Sequence, residues 1–544
     1  MIRRAARLGG SRIGELDDLS PPTEDSVATA LVAALLSNDI DIVFGVGGTH
    51  TLQLLGAIER AKKLRFVASR TELGAAYMAI GYARISGKPA VLLTSTGPGA
   101  LNVTAALQDA CWSSVPVIHL TTHISETGFA GGVHETPHQS AILGLASKDL
   151  LEVDGNFVAD TVTEAVRRAK ASPAGPVTLT VKVGIWADTP RQEGSTSYGR
   201  AQEPPGSDLD EVLKAIDNAD RPLLYVGGGA LKHDSGRAAL ALAEALQAPV
   251  LTSNGGKTVA GRNHPLYLGP WATEPPVDEL CAEADVALVL GSKLSSASTN
   301  NWKLTLPEVT YRIGYPDEPH RAFPRIREVR GDAAETAAAL TALVSPRREG
   351  WASKSIAGIR EAVLAAARER APADMAFVDA MSSPNAPVLV ACETAKAGFW
   401  VMKFLDVTGQ AAHIMSGYLA MGSALPMAVG MAAASGMPVM AVLGDGGLQM
   451  SLAELATLAE LGLPVTLVVI VDHAYGLLRD NSSAIGGSQG LGIDLWNPEF
   501  GRLCEAYDLA CIDVDAPADL AGAFGPRSDG PRMILVHGSI SRKW

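Results

Sequence analysis

The chain has 544 residues, of which 47% are apolar and 19% are charged, and its formal net charge is −13. This composition excludes an intrinsically disordered chain. The length is too great for one compact core and predicts about three domains of ordinary size. The acidic balance argues against nucleic acid as the main partner.

The cysteines and the uncharged segments bear on where the protein works. Five widely spaced cysteines without a Cys-x-x-Cys pair disfavour a disulfide framework or a zinc site and favour a cytoplasmic location. Residues 1–24 are expected to form an N-terminal arm, because no apolar run follows their arginines. The uncharged stretch 425–444 is long enough to suggest a membrane span, but Gly-Met-Pro at 436–438 breaks it. We therefore predict a buried helix, a turn and a strand there, and no membrane partner.

Apolar runs alternate with helical patterns along most of the chain, which predicts parallel sheets covered by helices. One such domain is expected over residues 25–190, followed by a polar linker rich in Pro, Gly and Ser. A second is expected over 205–345 and a third over 375–544. The predicted fold class is thus α/β, with three doubly wound parallel-sheet domains, the middle one Rossmann-like.

Two aspartates follow apolar runs in the third domain. Asp445 comes after VMAVLG, Asp472 comes after VTLVVIV, and the helical segment SLAELATLAELG lies between them. A strand–helix–strand crossover makes the two strands parallel, so both carboxylates are expected at the same edge of one sheet. Gly446 and Gly447 let backbone N–H groups approach an anion closely. The pattern predicts a Mg²⁺–diphosphate site, although two acids that cap separate helices would give the same spacing.

The segment GDGGLQMSLAELATL…VTLVVIVDHAYG resembles the fingerprint of thiamine-diphosphate-dependent enzymes, which begins with Gly-Asp-Gly and ends with an Asn-Asn pair. Val471-Asp472 stands where the commonest form has Asn-Asn. Further segments, at 43–59, 70–122, 417–432 and 497–509, are similar to acetolactate synthase and its relatives. These relatives include pyruvate decarboxylase and benzaldehyde lyase. The resemblance implies a pyrimidine-binding first domain and a diphosphate-binding third domain.

The resemblance also implies the cofactors, thiamine diphosphate and Mg²⁺. The implied metal ligands are Asp445, Asp472 and the backbone carbonyl of Ala474. The other diphosphate-side positions that the resemblance implies are Gly444, Gly446, Gly447, Tyr475 and Gly476.

Three further residues take their implied roles from the same resemblance. Glu72 matches the glutamate that hydrogen-bonds and activates the aminopyrimidine ring, and its alternative reading is an acid that satisfies a helix dipole. Met421 matches the residue wedged between the two cofactor rings, and it could equally be a core methionine. The carbonyl of Leu419 matches the acceptor for the amino group of the ring.

In this family the pyrimidine and the diphosphate are held by different subunits. The resemblance therefore implies that Glu72 and Asp445 meet across a subunit interface. The expected assembly is a homo-oligomer, either a dimer or a tetramer.

The reaction is inferred from the residues expected beside the cofactor. Leu478 stands where pyruvate decarboxylases carry a glutamate, Leu477 precedes it, and the chain has no His-His pair. An aliphatic pocket offers no acid that would protonate the intermediate, which favours carboligation over release of an aldehyde. We expect an acetolactate-synthase-like carboligase or lyase that acts on a 2-oxo acid or α-hydroxy ketone and a carbonyl acceptor. The alternatives are a non-oxidative 2-oxo-acid decarboxylase and a cofactor-binding paralogue without turnover.

Histidines supply the remaining candidates. His50 and His123 are candidate catalytic residues, and His50 could move a proton at neutral pH or simply pack on the cofactor. His123, His134 and His138 could also bind a metal, but their intervals of 11 and 4 residues are weak evidence. The roles of His134 and His138 stay open. The expected substrate pocket comprises Gly48, Thr49, His50, His123, Leu477 and Leu478.

The middle domain bears on a possible third cofactor, because some relatives hold FAD there. Its glycine turn YVGGGALKHDSG does not follow the usual dinucleotide pattern. The segment GSKLSSASTNNW lacks the arginine expected of a flavin site. We therefore predict that the protein binds no flavin.

Overall fold

The computed structural model describes residues 23–124, 134, 136–191, 209–231, 236–315, 320–382, 386, 389–406, 412–414, 418–524 and 530–542. These residues form two compact units. Unit 1 takes its members from Met1–Arg200, Val429–Ser435 and Ser451–Leu461. Unit 2 takes its members from Ala201–Ala428, Gly436–Met450 and Gly462–Trp544.

Unit 1 is built on one parallel sheet. Its strands are β1 (Ile42–Gly45), β2 (Arg65–Ala68), β3 (Ala90–Thr94), β4 (Val117–His123), β5 (Asp149–Val153) and β6 (Val177–Lys182). The strand order is β2-β1-β3-β4-β6-β5. The helices of this part of the chain are α1 (Val27–Ser37), α2 (Leu52–Ala61), α3 (Glu72–Ser86), α4 (Pro98–Leu101), α5 (Thr104–Ser113), α6 (Gln139–Ala146) and α7 (Val158–Lys170). Strands β1, β3 and β4 are buried along their whole length, as their apolar runs predict.

Unit 2 contains two parallel sheets. The strands of the first are β7 (Pro222–Val226), β8 (Val250–Thr252), β9 (Tyr267–Gly269), β10 (Val286–Leu290), β11 (Val309–Gly314) and β12 (Arg327–Arg330). The strands of the second are β13 (Leu389–Cys392), β14 (Ala412–Ile414), β15 (Val439–Gly444), β16 (Val465–Val471), β17 (Ala510–Val514) and β18 (Arg532–His537). Their orders are β12-β11-β10-β7-β8-β9 and β14-β13-β15-β16-β18-β17.

The remaining helices cover and connect these sheets. They are α8 (Leu209–Asp217), α9 (Arg237–Leu246), α10 (Pro275–Glu283), α11 (Ala333–Leu343), α12 (Ile356–Arg370), α13 (Pro372–Ala380), α14 (Lys396–Phe404), α15 (Ala424–Ser435), α16 (Asp445–Met450), α17 (Glu454–Leu461), α18 (Gly476–Ile485), α19 (Phe500–Ala506) and α20 (Leu520–Ala523). Helix α17 and the end of α15 belong to unit 1.

The sheet topologies confirm the predicted fold class. Numbered within each sheet, the strands of the first and third sheets share the order 2-1-3-4-6-5, and the middle sheet has the order 3-2-1-4-5-6 of Rossmann-like folds. In each sheet the chain reverses its direction of winding between two neighbouring strands. Ligands of open α/β sheets bind at such switch points, outside the carboxyl ends of the strands. The switch points lie at β1/β3, β7/β10 and β13/β15.

The uncharged stretch 425–444 folds as predicted into a helix, a turn and a strand, which are α15 and β15. No helix within the described ranges has the length and apolar character needed to cross a bilayer. A Cβ added at Gly430 of α15 would lie 1.9 Å from the carbonyl oxygen of Met78 in α3. The two helix backbones therefore touch at this point within unit 1.

Candidate active site

Asp445 and Asp472 lie at the carboxyl ends of neighbouring parallel strands. Asp445 follows β15 and Asp472 follows β16, which pair in register from Val439↔Val465 to Gly444↔Ile470. Asp445 is fully buried, and the side chain of Asp472 is 9% exposed. Burial raises the pKa of Asp472, and the nearby charge of Asp445 raises it further. Two adjacent buried carboxylates are the donor set that a hard divalent cation requires, so these residues fit Mg²⁺.

The carboxylate of Asp445 is held in place by three donors. Its Oδ1 accepts the N–H of Gly446 at 2.9 Å. Its Oδ2 accepts the N–H of His473 at 2.8 Å and the side-chain amide of Asn497 at 2.7 Å. The oxygen of the Asn497 amide accepts from Gln449 at 2.8 Å. Asn497 and Gln449 therefore orient the acid, a role that the sequence analysis missed.

Glu393 directly follows β13, the first strand of the β13/β15 switch point, and was also missed. It is 1% exposed, and burial raises its pKa to about 7. Its Oε2 accepts the N–H of Gly422 at 2.8 Å, whereas its Oε1 has no hydrogen-bond partner among the described residues. Following the switch-point rule to the end of β13, as well as β15, would have found this residue.

Close packing requires the absence of a side chain at Gly446 and Gly447, whether or not an anion binds there. A Cβ at Gly446 would lie 2.6 Å from the ring of Tyr475, and a Cβ at Gly447 would lie 1.4 Å from Oε1 of Glu393. Real Cβ atoms do not approach other atoms this closely, so a side chain at either position forces its neighbour to move. The start of α16 is thus packed directly against both Glu393 and Tyr475.

We expect Gly447→Ala to lower the thermal unfolding temperature by roughly 5–10 °C. An overpacking penalty of about 2–3 kcal/mol produces such a shift in a domain of the size predicted for residues 375–544. Thermal unfolding followed by circular dichroism measures the effect. Gly444→Ala, at the end of β15, is the matched control, because its Cβ would lie 3.9 Å from the nearest atom, Cβ of Ala395. Equal losses for the two variants would contradict the packing argument.

The implied wedge region lies close to the end of β13. Leu419 has a positive φ of 57°, and its carbonyl accepts the hydroxyl of Thr394 at 2.7 Å. Met421 is half-buried, and Gly422 follows it with a φ of 73°. A Cβ at Gly422 would lie 2.8 Å from Cβ of Met450. Thr394, Gly422 and Met450 thus fix the backbone on which Leu419 and Met421 sit.

The implied pocket residues of unit 2 follow Asp472, the second implied metal ligand. Ala474 is buried, Tyr475 is half-buried, and Gly476 begins α18. Leu477 and Leu478 occupy the first turn of this helix, where Leu477 is half-buried and Leu478 is 48% exposed. This turn therefore presents aliphatic surface and no acid at the two predicted positions.

Glu72 is the first residue of α3 in unit 1 and is half-buried. Its Oε2 accepts the side-chain amide of Asn102 at 3.1 Å. A Cβ at Gly99 would lie 3.2 Å from Oε1 of Glu72. The loop and short helix that follow β3 therefore orient the carboxylate, and Asn102 was missed by the sequence analysis.

The start of α3 is fixed by a second glutamate. Glu454 of α17 is fully buried, and its carboxylate accepts the N–H groups of Arg70 and Thr71 at 3.2 and 2.9 Å. It also accepts the hydroxyls of Thr71 and Thr457, each at 2.7 Å. A Cβ at Gly74 would lie 2.2 Å from its Oε1. Glu454 thus immobilises the backbone directly before Glu72.

His50 lies at the β1/β3 switch point of the first sheet. Its Nδ1 is 3.3 Å from the hydroxyl of Ser95, and its ring centroid is 6.0 Å from that of His134. Burial lowers the pKa of His50, and His134 lowers it further, so the ring is neutral at neutral pH. Gly48 packs on Ser95, where a Cβ would lie 2.8 Å from the serine Cβ, and Thr49 is exposed.

His123, a predicted catalytic and pocket residue, is buried. It ends β4 and is 7% exposed. Its Nε2 lies 3.4 Å from the Glu152 carboxylate, and neither ring nitrogen has a hydrogen-bond partner in the described part of the chain. His138 precedes α6 and is exposed. The described residues contain no group of three or more His, Cys, Asp and Glu side chains that could hold a metal ion.

The glycine turn of the middle sheet packs against its neighbour at the β7/β10 switch point. The N–H of Gly229 donates to the carbonyl of Gly291 at 2.9 Å. A Cβ at Gly227 would lie 2.4 Å from the same oxygen. These glycines let two backbone segments approach each other. The absence of a flavin stays a prediction.

Comparison with known proteins identifies the class. Three family models match the chain: the N-terminal TPP binding domain of thiamine pyrophosphate enzymes at residues 25–142, their central domain at 209–340 and their C-terminal TPP binding domain at 393–537. The chain belongs to the thiamine pyrophosphate enzymes. The implied membership is thereby confirmed, and the enzyme depends on thiamine diphosphate (thiamine pyrophosphate).

Named relatives span nearly the whole chain. A probable 2-ketoarginine decarboxylase of Pseudomonas aeruginosa is 30% identical over 96% of this chain and 96% of its own length. An acetolactate synthase large subunit of Corynebacterium glutamicum is 26% identical over 96% of this chain and 88% of its own. A pyruvate oxidase of Lactiplantibacillus plantarum is 25% identical over 91% of this chain and 85% of its own. A carboligase or a decarboxylase activity fits this set of relatives.

Proposed function

We propose that the protein is a Mg²⁺- and thiamine-diphosphate-dependent carboligase that takes a 2-oxo acid as donor and joins it to a second carbonyl compound. The observation that carries the proposal is the pair of carboxylates, Asp445 fully buried and Asp472 9% exposed, beside Gly446 and Gly447 at the start of α16. Such a pair suits the cation of a metal–diphosphate complex. We propose Asp445, Asp472 and the carbonyl of Ala474 as its protein ligands.

Each half of the proposed site has a defined task. When bound, thiamine diphosphate supplies the nucleophilic carbon and the electron sink that decarboxylation of a 2-oxo acid requires. Glu72 holds or releases a proton at the pyrimidine ring, and Asn102 keeps its carboxylate in position. Met421 and the carbonyl of Leu419 orient that ring.

The pocket chemistry supports carboligation. Leu477 and Leu478 give the donor side an aliphatic surface and supply no proton. His50 is neutral at neutral pH, because burial and His134 both lower its pKa. A neutral imidazole beside the Ser95 hydroxyl can accept a proton or pass it on, but it is a poor source of protons for quenching a reactive carbon. We keep His123 as a weaker candidate because it is buried.

Simple decarboxylation of a 2-oxo acid is the second candidate. It is favoured by the probable 2-ketoarginine decarboxylase that is 30% identical over 96% of this chain. Both reactions begin with the same loss of carbon dioxide. They differ in whether a proton or a carbonyl compound then reacts.

We also propose that the working form is a homo-oligomer. The support is the family resemblance, in which the pyrimidine and the diphosphate are held by different subunits. A stable monomer with full activity would contradict this proposal.

A product assay separates the two candidates. We expect the purified protein, supplied with Mg²⁺, thiamine diphosphate, a 2-oxo acid and an aldehyde acceptor, to release carbon dioxide and form mainly the acyloin, measured by mass spectrometry. Pyruvate and the 2-oxo acid of arginine are the first donors to compare. Asp445→Ala is the control for background reaction. Free aldehyde as the main product would establish the decarboxylase, and no cofactor-dependent turnover of any donor would overturn both candidates.

A further inference from the structure

Lys396 is a buried cation at the edge of the sheet that carries the two aspartates. It is the first residue of α14, which is separated from the end of β13 by three residues, and its side chain is 8% exposed. Its Nζ lies 3.9 Å from Oδ2 of Asp472 and 3.5 Å from Oδ2 of Asp480, and it donates to the hydroxyl of Ser539 at 2.9 Å.

The position of this lysine is unfavourable for the helix that carries it. A cation at a helix N-terminus opposes the helix dipole, and burial of an ammonium group is unfavourable unless the group is paired. The opposite end of α14 is where cations are favoured, and there Lys257 donates to the carbonyls of Val401 and Met402 at 2.9 and 2.8 Å. The place of Lys396 is therefore explained by its carboxylate partners and not by the helix.

Of these partners, Asp472 is the one that shares the burial of the lysine. The Asp472 side chain is 9% exposed, and that of Asp480 is 32% exposed. Solvent screens an exposed charge much more than a buried one. Although Asp480 lies closer to the lysine, its charge therefore affects the metal-binding edge of the sheet less than the charge of Asp472 does.

Gly476 keeps the buried pair together. A Cβ at this position would lie 2.5 Å from Oδ2 of Asp472 and 2.8 Å from Cε of Lys396. Only a glycine leaves room for both side chains. The first residue of α18 thus defines a cleft in which the acid and the lysine face each other.

The charges at this edge suggest the role of the lysine. Leaving aside the more exposed Asp480, which solvent screens, Asp445 and Asp472 contribute −2, and Lys396 returns the sum to −1. A diphosphate is itself an anion, and a surplus carboxylate beside it would repel it. We propose that Lys396 is a positioning residue, the internal counter-charge that lets the second metal-binding carboxylate, Asp472, lie beside a bound diphosphate. This inference rests on the proposed Mg²⁺–diphosphate site.

The proposal predicts that the two residues compensate for each other. Lys396→Gln leaves the second carboxylate without its counter-charge, and Asp472→Asn leaves the ammonium facing the cation. We expect each single variant to weaken the binding of thiamine diphosphate at fixed Mg²⁺ by about tenfold or more, measured by titration calorimetry on the full-length protein. The double variant restores the original charge and is expected to bind within about threefold of the unchanged protein.

Asp480→Asn is the matched control, because it removes the more exposed partner of the same ammonium, and it is expected to change the affinity by less than about threefold. Circular dichroism and thermal unfolding establish that every variant compared is folded. Additive losses in the double variant, or unchanged affinity in Lys396→Gln, would overturn the counter-charge role. If the unchanged protein itself failed to bind the cofactor with Mg²⁺, the proposed metal–diphosphate site would fail instead.

Discussion

Replacing Glu72 by glutamine is expected to lower kcat by about 10²- to 10⁴-fold, the range that loss of a positioned acid–base group produces. Glutamine keeps the size and the hydrogen-bonding reach of the side chain, and its amide can still pair with Asn102. It cannot hold or release the proton at the pyrimidine ring. Turnover of the 2-oxo acid identified in the product assay measures the loss.

The binding of the cofactor provides the necessary contrast. Thiamine diphosphate is expected to bind Glu72→Gln within about tenfold of the unchanged protein, because one hydrogen bond of about 0.5–1.5 kcal/mol is at stake. Glu59→Gln, an exposed acid on α2, is the matched control and leaves turnover unchanged. Retained activity in Glu72→Gln would remove this residue from the mechanism.

Replacing Glu454 by alanine is expected to destabilise unit 1 by about 3–5 kcal/mol, because a fully buried acceptor with four donors is lost. Two of these donors are the backbone N–H groups of Arg70 and Thr71 at the start of α3. They would lose their acceptor. Thermal unfolding should show a decrease of roughly 10 °C in the transition of this unit.

Two variants separate the stability contributed by the buried contacts of Glu454 from any general effect of removing an acidic side chain. Glu454→Gln keeps one acceptor oxygen and is expected to lose roughly half as much stability. Glu460→Ala, in the same helix, removes only the 57% exposed partner of Arg70 and should cost less than about 1 kcal/mol. A Glu454→Ala protein as stable as Glu460→Ala would show that the buried contacts of Glu454 contribute little.

The elements that sequence reasoning could predict are those encoded by local pattern. The runs before Asp445 and Asp472 are apolar, uninterrupted and joined by one helical segment, so their parallel pairing followed from the handedness and length of the crossover. Helix α15 and strand β15 were separable because Gly-Met-Pro marks the turn between them. In these cases neighbouring residues carry the information.

The missed residues depend on contacts between distant parts of the chain. Asn497 reaches Asp445 across 52 positions, and Glu454 reaches Thr71 across 383. A weak local signal existed for Glu454, which shares a helix face with Leu458 and Leu461 at the spacing i, i+4, i+7. An acid on an apolar face requires a buried partner, but helical periodicity cannot say which one.

The contribution of Ser451–Leu461 to unit 1 has a consequence for how the protein is made. A ribosome that has released only the first 200 residues has not yet supplied Glu454, so the backbone amides ahead of Glu72 must bond to water. Closing a contact across 383 positions is also slow, because bringing the two ends of so long a loop together costs entropy before the contact forms. The first part of the polypeptide to leave the ribosome is thus completed only after most of the polypeptide has followed it.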